Sequence, residues 1–216
     1  MIQKTRAKSD LLIATFGPPG SGKSTVCGSL ANMLEAEIIS PGRELRRLSA
    51  RGGHVGEEAK RLIHMAAPAP DIMLWWMLTE HGSGALILDG VPQNIRQVSL
   101  LADFASQFYY HLVGVHLLVS REIALNRILN RWYCTQCRQS FSNGEAGCDC
   151  GARLYQRLDD TMATTVSARL DRYERDVTPA AAKFSAQFRY QEFDASNDPK
   201  NLLMRVRGWI KSLYDI

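Results

Sequence analysis

Between residues 17 and 24 the chain reads Gly17-Pro18-Pro19-Gly20-Ser21-Gly22-Lys23-Ser24, a full match to G-x-x-x-x-G-K-[ST]. Glycines in such a loop let successive backbone N–H groups turn inward on a phosphate chain, and the helix that follows adds its partial positive charge. The lysine reaches the β- and γ-phosphates, and the serine offers a hydroxyl oxygen to Mg²⁺. The loop requires a strand running in and a helix running out. Both are predicted: Leu11 to Phe16 is a short apolar run ending in glycine, and Ser24 to Leu34 places Val26, Leu30, Met33 and Leu34 at helical spacing. A glycine-rich turn that merely joins strand to helix is the bland alternative. The sequence favours a site for a nucleoside triphosphate.

The rest of the chain continues the alternation. Further strands are expected at Glu37–Ser40, Ala85–Asp89, within His111–Ser120 and at Tyr190–Phe193. Helices are expected at 43–51, 57–65, 71–80, 94–108, 121–132, 160–176, 179–188 and 201–214. Apolar strands alternating with helices predict an α/β fold, a P-loop NTPase-like parallel sheet flanked by helices. Two excursions interrupt it, one helical at 41–84 and one bearing cysteines at 130–157. The core would then comprise 1–40, 85–129 and 158–216. With 216 residues, one domain with insertions is the expected size. No apolar run reaches the ~20 residues needed to span a bilayer, and the polar start does not resemble a signal peptide, so a cytoplasmic location is expected.

Leu86-Ile87-Leu88-Asp89 is an apolar strand ending in a carboxylate, placed to hold Mg²⁺ beside the phosphate loop, partly through water. Net charge is only +4, but 19 of the 26 cationic side chains are arginine, the better fork for phosphate oxygens. Cys134, Cys137, Cys148 and Cys150 fall within seventeen residues. Four thiolates suit tetrahedral zinc and leave no open coordination position, so the expected metal is structural, a staple for a segment with little core. Reduced or redox-active thiols are the alternative. Cys27 is expected to be a buried packing residue, the five histidines show no ligand spacing, and Trp75 and Trp76 are expected to fill the core of the helical excursion.

The order of these blocks resembles the adenylate kinase family of nucleoside monophosphate kinases, in its long-lid, zinc-bearing form. The residues that carry the resemblance are the phosphate loop, Ile39-Ser40-Pro41-Gly42-Arg43-Glu44-Leu45-Arg46, Leu88-Asp89-Gly90-Val91-Pro92-Gln93 with Gln97, Arg127 with Arg131, and Tyr155-Gln156-Arg157-Leu158-Asp159-Asp160 followed by Arg169. They run through nearly the whole chain. The resemblance implies the reaction MgATP + AMP = 2 ADP, with Mg²⁺ and structural Zn²⁺ as cofactors. It implies Lys23, Asp89, Arg131, Arg157 and Arg169 as catalytic residues. Gly20, Ser21, Gly22, Ser24, Thr25, Arg127 and Phe141 would bind ATP, Arg127 stacking on its adenine. Ser40, Gly42, Arg43, Arg46, Gln93 and Gln97 would bind the monophosphate, with Arg46 on its phosphate and Gln97 reading its adenine. Residues 41–84 look like the monophosphate-binding domain and 130–157 like the lid, with Cys134, Cys137, Cys148 and Cys150 as zinc ligands. A monomer without membrane or nucleic-acid partners is implied; between residues 133 and 156, around the cysteines, the only basic residues are Arg138 and Arg153.

The chain departs from that pattern in three places. Pro41-Gly42-Arg43 stands where the family usually has Thr-Gly-Asp, and Val91-Pro92-Gln93 where it usually has Phe-Pro-Arg. The second cysteine pair is C-x-C instead of C-x2-C. The change at 93 removes a cation from the monophosphate site, worth about ten- to hundredfold in binding. Arg43 or Arg96, by proximity, is expected to replace it. The altered acceptor motifs leave two other readings open: a kinase of a different small acceptor or with slow turnover, and a non-catalytic nucleotide- or nucleic-acid-binding protein.

Overall fold

A computed structural model describes residues 10–81, 84–137, 139–142 and 147–214. Arg138 lies outside the described residues. Five strands, β1 (Leu11–Phe16), β2 (Glu37–Ile39), β3 (Leu86–Asp89), β4 (His111–Leu118) and β8 (Arg189–Asp194), form one parallel sheet in the order β2-β3-β1-β4-β8. Both faces of the central β1, β3 and β4 are covered, which is why these three read as largely apolar runs, whereas the edge strand β8 is mostly polar and exposed. On one face Leu12, Ala14, Phe16, Leu86 and Leu88 pack with Val98, Leu101 and Phe104 of α5 (Ile95–Gln107) and Phe184 of α9 (Thr178–Ser185). On the other, Leu11, Ile13, Ile87, Val113 and Val115 meet Val26 and Leu30 of α1 (Lys23–Leu34) and Val206 and Ile210 of α10 (Pro199–Leu213). β1 has β3 on one side and β4 on the other, so strand order reverses at β1 and a crevice opens at the strands' carboxyl ends.

The helical excursion comprises α2 (Pro41–Ser49), α3 (Gly53–His64) and α4 (Asp71–Glu80). α2 starts two residues earlier than the expected 43, because Pro41 occupies the first helical turn, where its missing N–H costs nothing and its fixed φ suits the helix. α2 and α3 share a small core of Leu45, Ala59 and Ala69. The expectation for the tryptophans is corrected. Leu74, Met77 and Leu78 of α4 belong to the main core, Trp75 packs edge-on against Phe104 there, and Trp76 is 52% exposed.

The expected helix over 121–132 is also corrected. α6 (Arg121–Leu129) stops short, and Trp132–Cys134 is instead β5, the central strand of a three-stranded antiparallel sheet with β6 (Ser140–Phe141) and β7 (Leu154–Tyr155). The single helix expected over 160–176 is three pieces: α7 (Leu158–Thr161), α8 (Ala163–Arg172) and a π-helical turn over Tyr173–Val177. Met162, extended at φ −92 and ψ 110, separates α7 from α8. Ala124 and Ile128 of α6 pack with Val166 and Leu170 of α8 and tie this segment to the core. No helix is long and apolar enough to cross a membrane among the described residues.

Candidate active site

The phosphate loop leaves β1 at Gly17 with φ of 139°, and a Cβ there would lie 2.7 Å from the Leu117 carbonyl oxygen and 2.7 Å from Ser21 Oγ. At Gly20, φ is 84° and a Cβ would lie 2.6 Å from the Ala124 carbonyl oxygen. Both positions demand glycine for backbone conformation and for space. Gly22, also left-handed, precedes α1, whose N-terminus faces the loop. Lys23 Nζ donates to the carbonyl oxygens of Gly17 at 2.7 Å and Pro18 at 2.8 Å. Burial lowers its ammonium to about 8, with Asp89 pulling the other way.

Asp89, at the end of β3, accepts from Ser24 Oγ at 2.9 Å and from Ser40 Oγ at 3.2 Å. Thr15 holds the two strand ends in register, donating to the Leu88 carbonyl at 2.6 Å and accepting from the Gly90 amide at 3.1 Å. The hydroxyl of Ser24 and the carboxylate of Asp89 form an all-oxygen pair of the kind a hard divalent cation takes beside triphosphate oxygens. Cys27 is buried behind the loop, 1% exposed, with its sulfur 3.5 Å from Thr15 Oγ1. Burial raises its thiol well above the usual range.

A cavity of about 1740 Å³ runs from the phosphate loop past the ends of β1 and β3 to α2, α3 and the small sheet. That exceeds the ~300–1,000 Å³ of a typical single-ligand pocket. Among the described residues, eleven lysine and arginine side chains line it against three carboxylates. The structure brings to this one cavity Gly20, Ser21, Gly22, Lys23, Ser24, Thr25, Ser40, Gly42, Arg43, Arg46, Asp89, Gln93, Arg127, Arg131, Phe141, Arg157 and Arg169. It does not bring Gln97 or Arg96 there.

The arginines are held from behind. Arg127 and Arg131, expected on one helical face, diverge because α6 ends between them. Arg127 donates to the carbonyl oxygens of Ala195 at 2.8 Å and Ser196 at 2.9 Å, which fixes the plane of its guanidinium. Arg131 pairs with Asp160 at 2.9 Å, and Arg169 pairs with the same carboxylate at 2.7 Å. Asp160 is fully buried and also accepts from Tyr133 at 3.4 Å. Burial pushes its carboxyl up, but the two guanidinium groups outweigh that and hold it below the ordinary carboxylate range. Arg157 lies over the Tyr133 ring at 3.5 Å, and its buried Nε has no hydrogen-bond partner. Arg46 sits 4.0 Å from Asp159, with burial first and Arg157 second lowering it to about 10. A guanidinium stays charged at any ordinary pH, so such lowering marks first a cation withdrawn from water and second a neighbouring cation.

On the side toward α2 to α4, Gln97 is buried, its Oε1 accepting from the Gln93 amide at 2.8 Å and its Nε2 donating to Ala69 O and Asp71 Oδ1, both at 3.3 Å. Arg96 is 85% exposed and pairs with Asp71 at 3.3 Å, so its charge is spent outside the cavity. The sequence reading passed over three residues. Asp160 appeared there only as part of a motif, Tyr133 not at all, and Arg172 lines the cavity unanticipated, donating to Gln93 Oε1 at 3.3 Å. The usable signal for Arg172 is its position one helical turn beyond Arg169.

The four cysteines of the small sheet converge. Their sulfurs all lie within 4.8 Å of one another, with Cys134–Cys150 and Cys137–Cys148 at 3.4 Å and Cys148–Cys150 at 3.2 Å. Tetrahedral zinc with bonds of ~2.3 Å would hold sulfurs ~3.8 Å apart, so the set fits with slight expansion, the C-x-C pair included. For Cys134, burial raises the thiol but backbone N–H groups of Cys137 and Gln136 outweigh it and bring it down to about 6. At Cys148 the Cys150 amide lowers the thiol, but the crowd of neighbouring sulfurs pushes it up to about 12. A divalent cation would relieve that crowding.

Comparison with known proteins agrees with this geometry. The family model described as adenylate kinase matches residues 15–188. The adenylate kinase of Chlamydia pneumoniae is 32% identical over 179 residues, covering 79% of this chain and 84% of that protein. That of Syntrophobacter fumaroxidans is 31% identical over 207 residues, 90% of this chain and 97% of its own length. That of Chlamydia abortus is 28% identical over 205 residues, 91% and 96%. With the matched region running from the loop through the arginine cage, the chain belongs to the adenylate kinase family.

Proposed function

We propose that the protein transfers the γ-phosphoryl group of MgATP to AMP, giving two ADP. The observation that carries this is the single cavity, large enough for two nucleotides, in which a phosphate loop and a surplus of fixed cations face each other. The accepting phosphate is already an anion at neutral pH, so no strong base is needed; positioning and charge neutralisation supply the catalysis. Backbone amides of Gly20 to Thr25 cradle the ATP phosphates and Lys23 sits at the β- and γ-groups. Ser24 would hold Mg²⁺ directly and Asp89 partly through water, and the ion would supply charge neutralisation between the phosphates. Arg127, its guanidinium plane fixed by two carbonyls, stacks on the ATP adenine, with Phe141 as a second ATP-binding side chain lining the same cavity. Arg131, Arg157 and Arg169 surround the moving phosphoryl group, where preorganised donors act most strongly.

Ser40, Gly42, Arg43, Arg46 and Gln93 would form the acceptor side, with Gln97, outside the cavity, holding the Gln93 amide. Residues 41–84 and 130–157 act as two moving parts on the core, and their closure excludes water, which prevents plain ATP hydrolysis. Cys134, Cys137, Cys148 and Cys150 would bind a structural zinc that staples the second of these; it supplies folding energy and no chemistry. A coupled phosphotransfer assay with MgATP against each common nucleoside monophosphate tests the reading. Preferred turnover of AMP is expected. Preferred turnover of another acceptor would transfer the proposal to that base, a reading favoured by the engagement of Gln97 in internal bonds. Silence with every acceptor would overturn it.

A further inference from the structure

We propose that Arg172 holds the phosphate group of the acceptor monophosphate, replacing the cation absent at position 93. The inference rests on the monophosphate kinase reading and adds to it the residue that completes its acceptor site.

Gln93 follows the end of β3 and is locked toward the helical excursion, its amide on Gln97 and Gln97 in turn on Ala69 and Asp71. It therefore marks the side of the cavity that adjoins the helical excursion. A neutral amide there cannot supply a charge-assisted bond to a phosphate dianion. Arg172, the last residue of α8, reaches the same point from the opposite wall, with Nη1 on Gln93 Oε1 at 3.3 Å. Its side chain lines the cavity and its buried Nε has no partner.

Of the other cations, Arg43 lines the cavity from α2 but is exposed, and Arg157 is stacked on the Tyr133 ring. Arg96 is turned out to solvent against Asp71. Arg131 and Arg169 share Asp160, and Arg46 is nearest Asp159. Among the described residues no salt bridge engages Arg172, and burial, with Arg169 adding repulsion, leaves it lowered to about 10. A half-buried guanidinium with an unfilled Nε–H and a glutamine oxygen as its hydrogen-bond acceptor is a fork prepared for an anion. The Gln93 oxygen orients that fork, and a phosphate oxygen can take the Nε–H and a free Nη–H together.

The test compares the wild type with R172Q, R172K and the double variant R172Q/Q93R. Michaelis constants for AMP and for MgATP are measured separately, with AMP binding measured by calorimetry and folding by thermal melting. R172Q is expected to raise the AMP constant about ten- to hundredfold while the MgATP constant stays within about twofold. R172K should recover only part, since a point charge lacks the fork. Q93R placed in R172Q should recover most of the loss by returning the cation from the other wall. An R172Q protein that melts normally and keeps its AMP constant within twofold overturns the inference, as does equal loss for both nucleotides or failure of Q93R to rescue. If another monophosphate is the preferred acceptor, its constant is read in place of that for AMP; a wild type that neither binds nor phosphorylates any nucleoside monophosphate overturns the underlying kinase reading instead, and this inference with it.

Discussion

Asp160→Asn is the substitution that most directly probes how the arginine cage is held. The side chain keeps its volume and one acceptor oxygen but loses its charge, and its amide N–H₂ must face a guanidinium. Removing one partner of a buried ion pair costs ~3–5 kcal/mol. Here the two partners, Arg131 and Arg169, remain 22% and 16% exposed, so water recovers part of that. We expect a net loss of about 2–3 kcal/mol of stability, a fall of about 1 M in the urea midpoint for a chain of this size. The difference has a pH signature. The carboxyl is held below its reference of 3.8, so its contribution is present above that value and is lost as pH falls through the lower folded value. Wild type and variant should therefore converge in acid and separate fully above about pH 5. In turnover, two guanidinium groups released from a common anchor should lower kcat about 10²-fold, with smaller changes in either Michaelis constant. Urea denaturation across pH 3 to 7 and the coupled ADP assay read both effects. A midpoint shift that persists unchanged at pH 3, or a kcat within threefold of wild type, would refute the account of Asp160 as the charged anchor.

Three further outcomes follow from separate parts of the molecule. Lys23 is lowered to about 8 by burial, and triphosphate oxygens would favour its charged form, so MgATP binding above pH 8 should take up protons; calorimetry at pH 8.5 in buffers of different ionisation enthalpy should give buffer-dependent heats, and K23M should abolish the dependence. Gly114→Ala places a Cβ 2.7 Å from Phe184 Cε1 and 2.9 Å from Tyr190 Cδ2 inside the core, which should cost about 1–3 kcal/mol in urea denaturation, and an unchanged midpoint would show that β4 has slack there. Purified protein should carry one equivalent of zinc; after chelation four thiols should react promptly with a thiol reagent and Cys27 only after denaturation, whereas absence of metal together with no effect of chelator on melting would remove zinc from the account.

What the sequence made legible was local. The phosphate loop declares itself because its chemistry is backbone geometry over eight contiguous residues, and the glycines that geometry demands are visible as letters. The cysteine set is legible for the same reason, since one short segment supplies every sulfur. Element ends decided by distant partners were harder. Arg131 and Trp132 continue a helical pattern, but Trp132–Cys134 pairs with β6 on one side and β7 on the other, and α6 ends at Leu129. The anchor of the cage was invisible for a related reason. Asp160 meets Arg131 across 29 residues, and nothing in a pair of adjacent aspartates says which one is buried.

The acceptor site marks the limit of reading along the chain. Gln93 could be seen as a lost cation, because a motif fixes what should stand there. Its replacement was expected among neighbours in sequence, at Arg43 and Arg96; Arg43 does line the cavity, but proximity in sequence is a poor guide once a helix turns a side chain outward, as α5 does with Arg96. Arg172 is 79 residues from Gln93 and meets it only after β3 takes its place beside β1 and α8 packs against α6. A phosphate needs positive charge at a point in space, and that point can be reached from either wall of a cleft. Substitution at one wall therefore predicts a cation somewhere on the facing surface, and only the fold can say which residue occupies it.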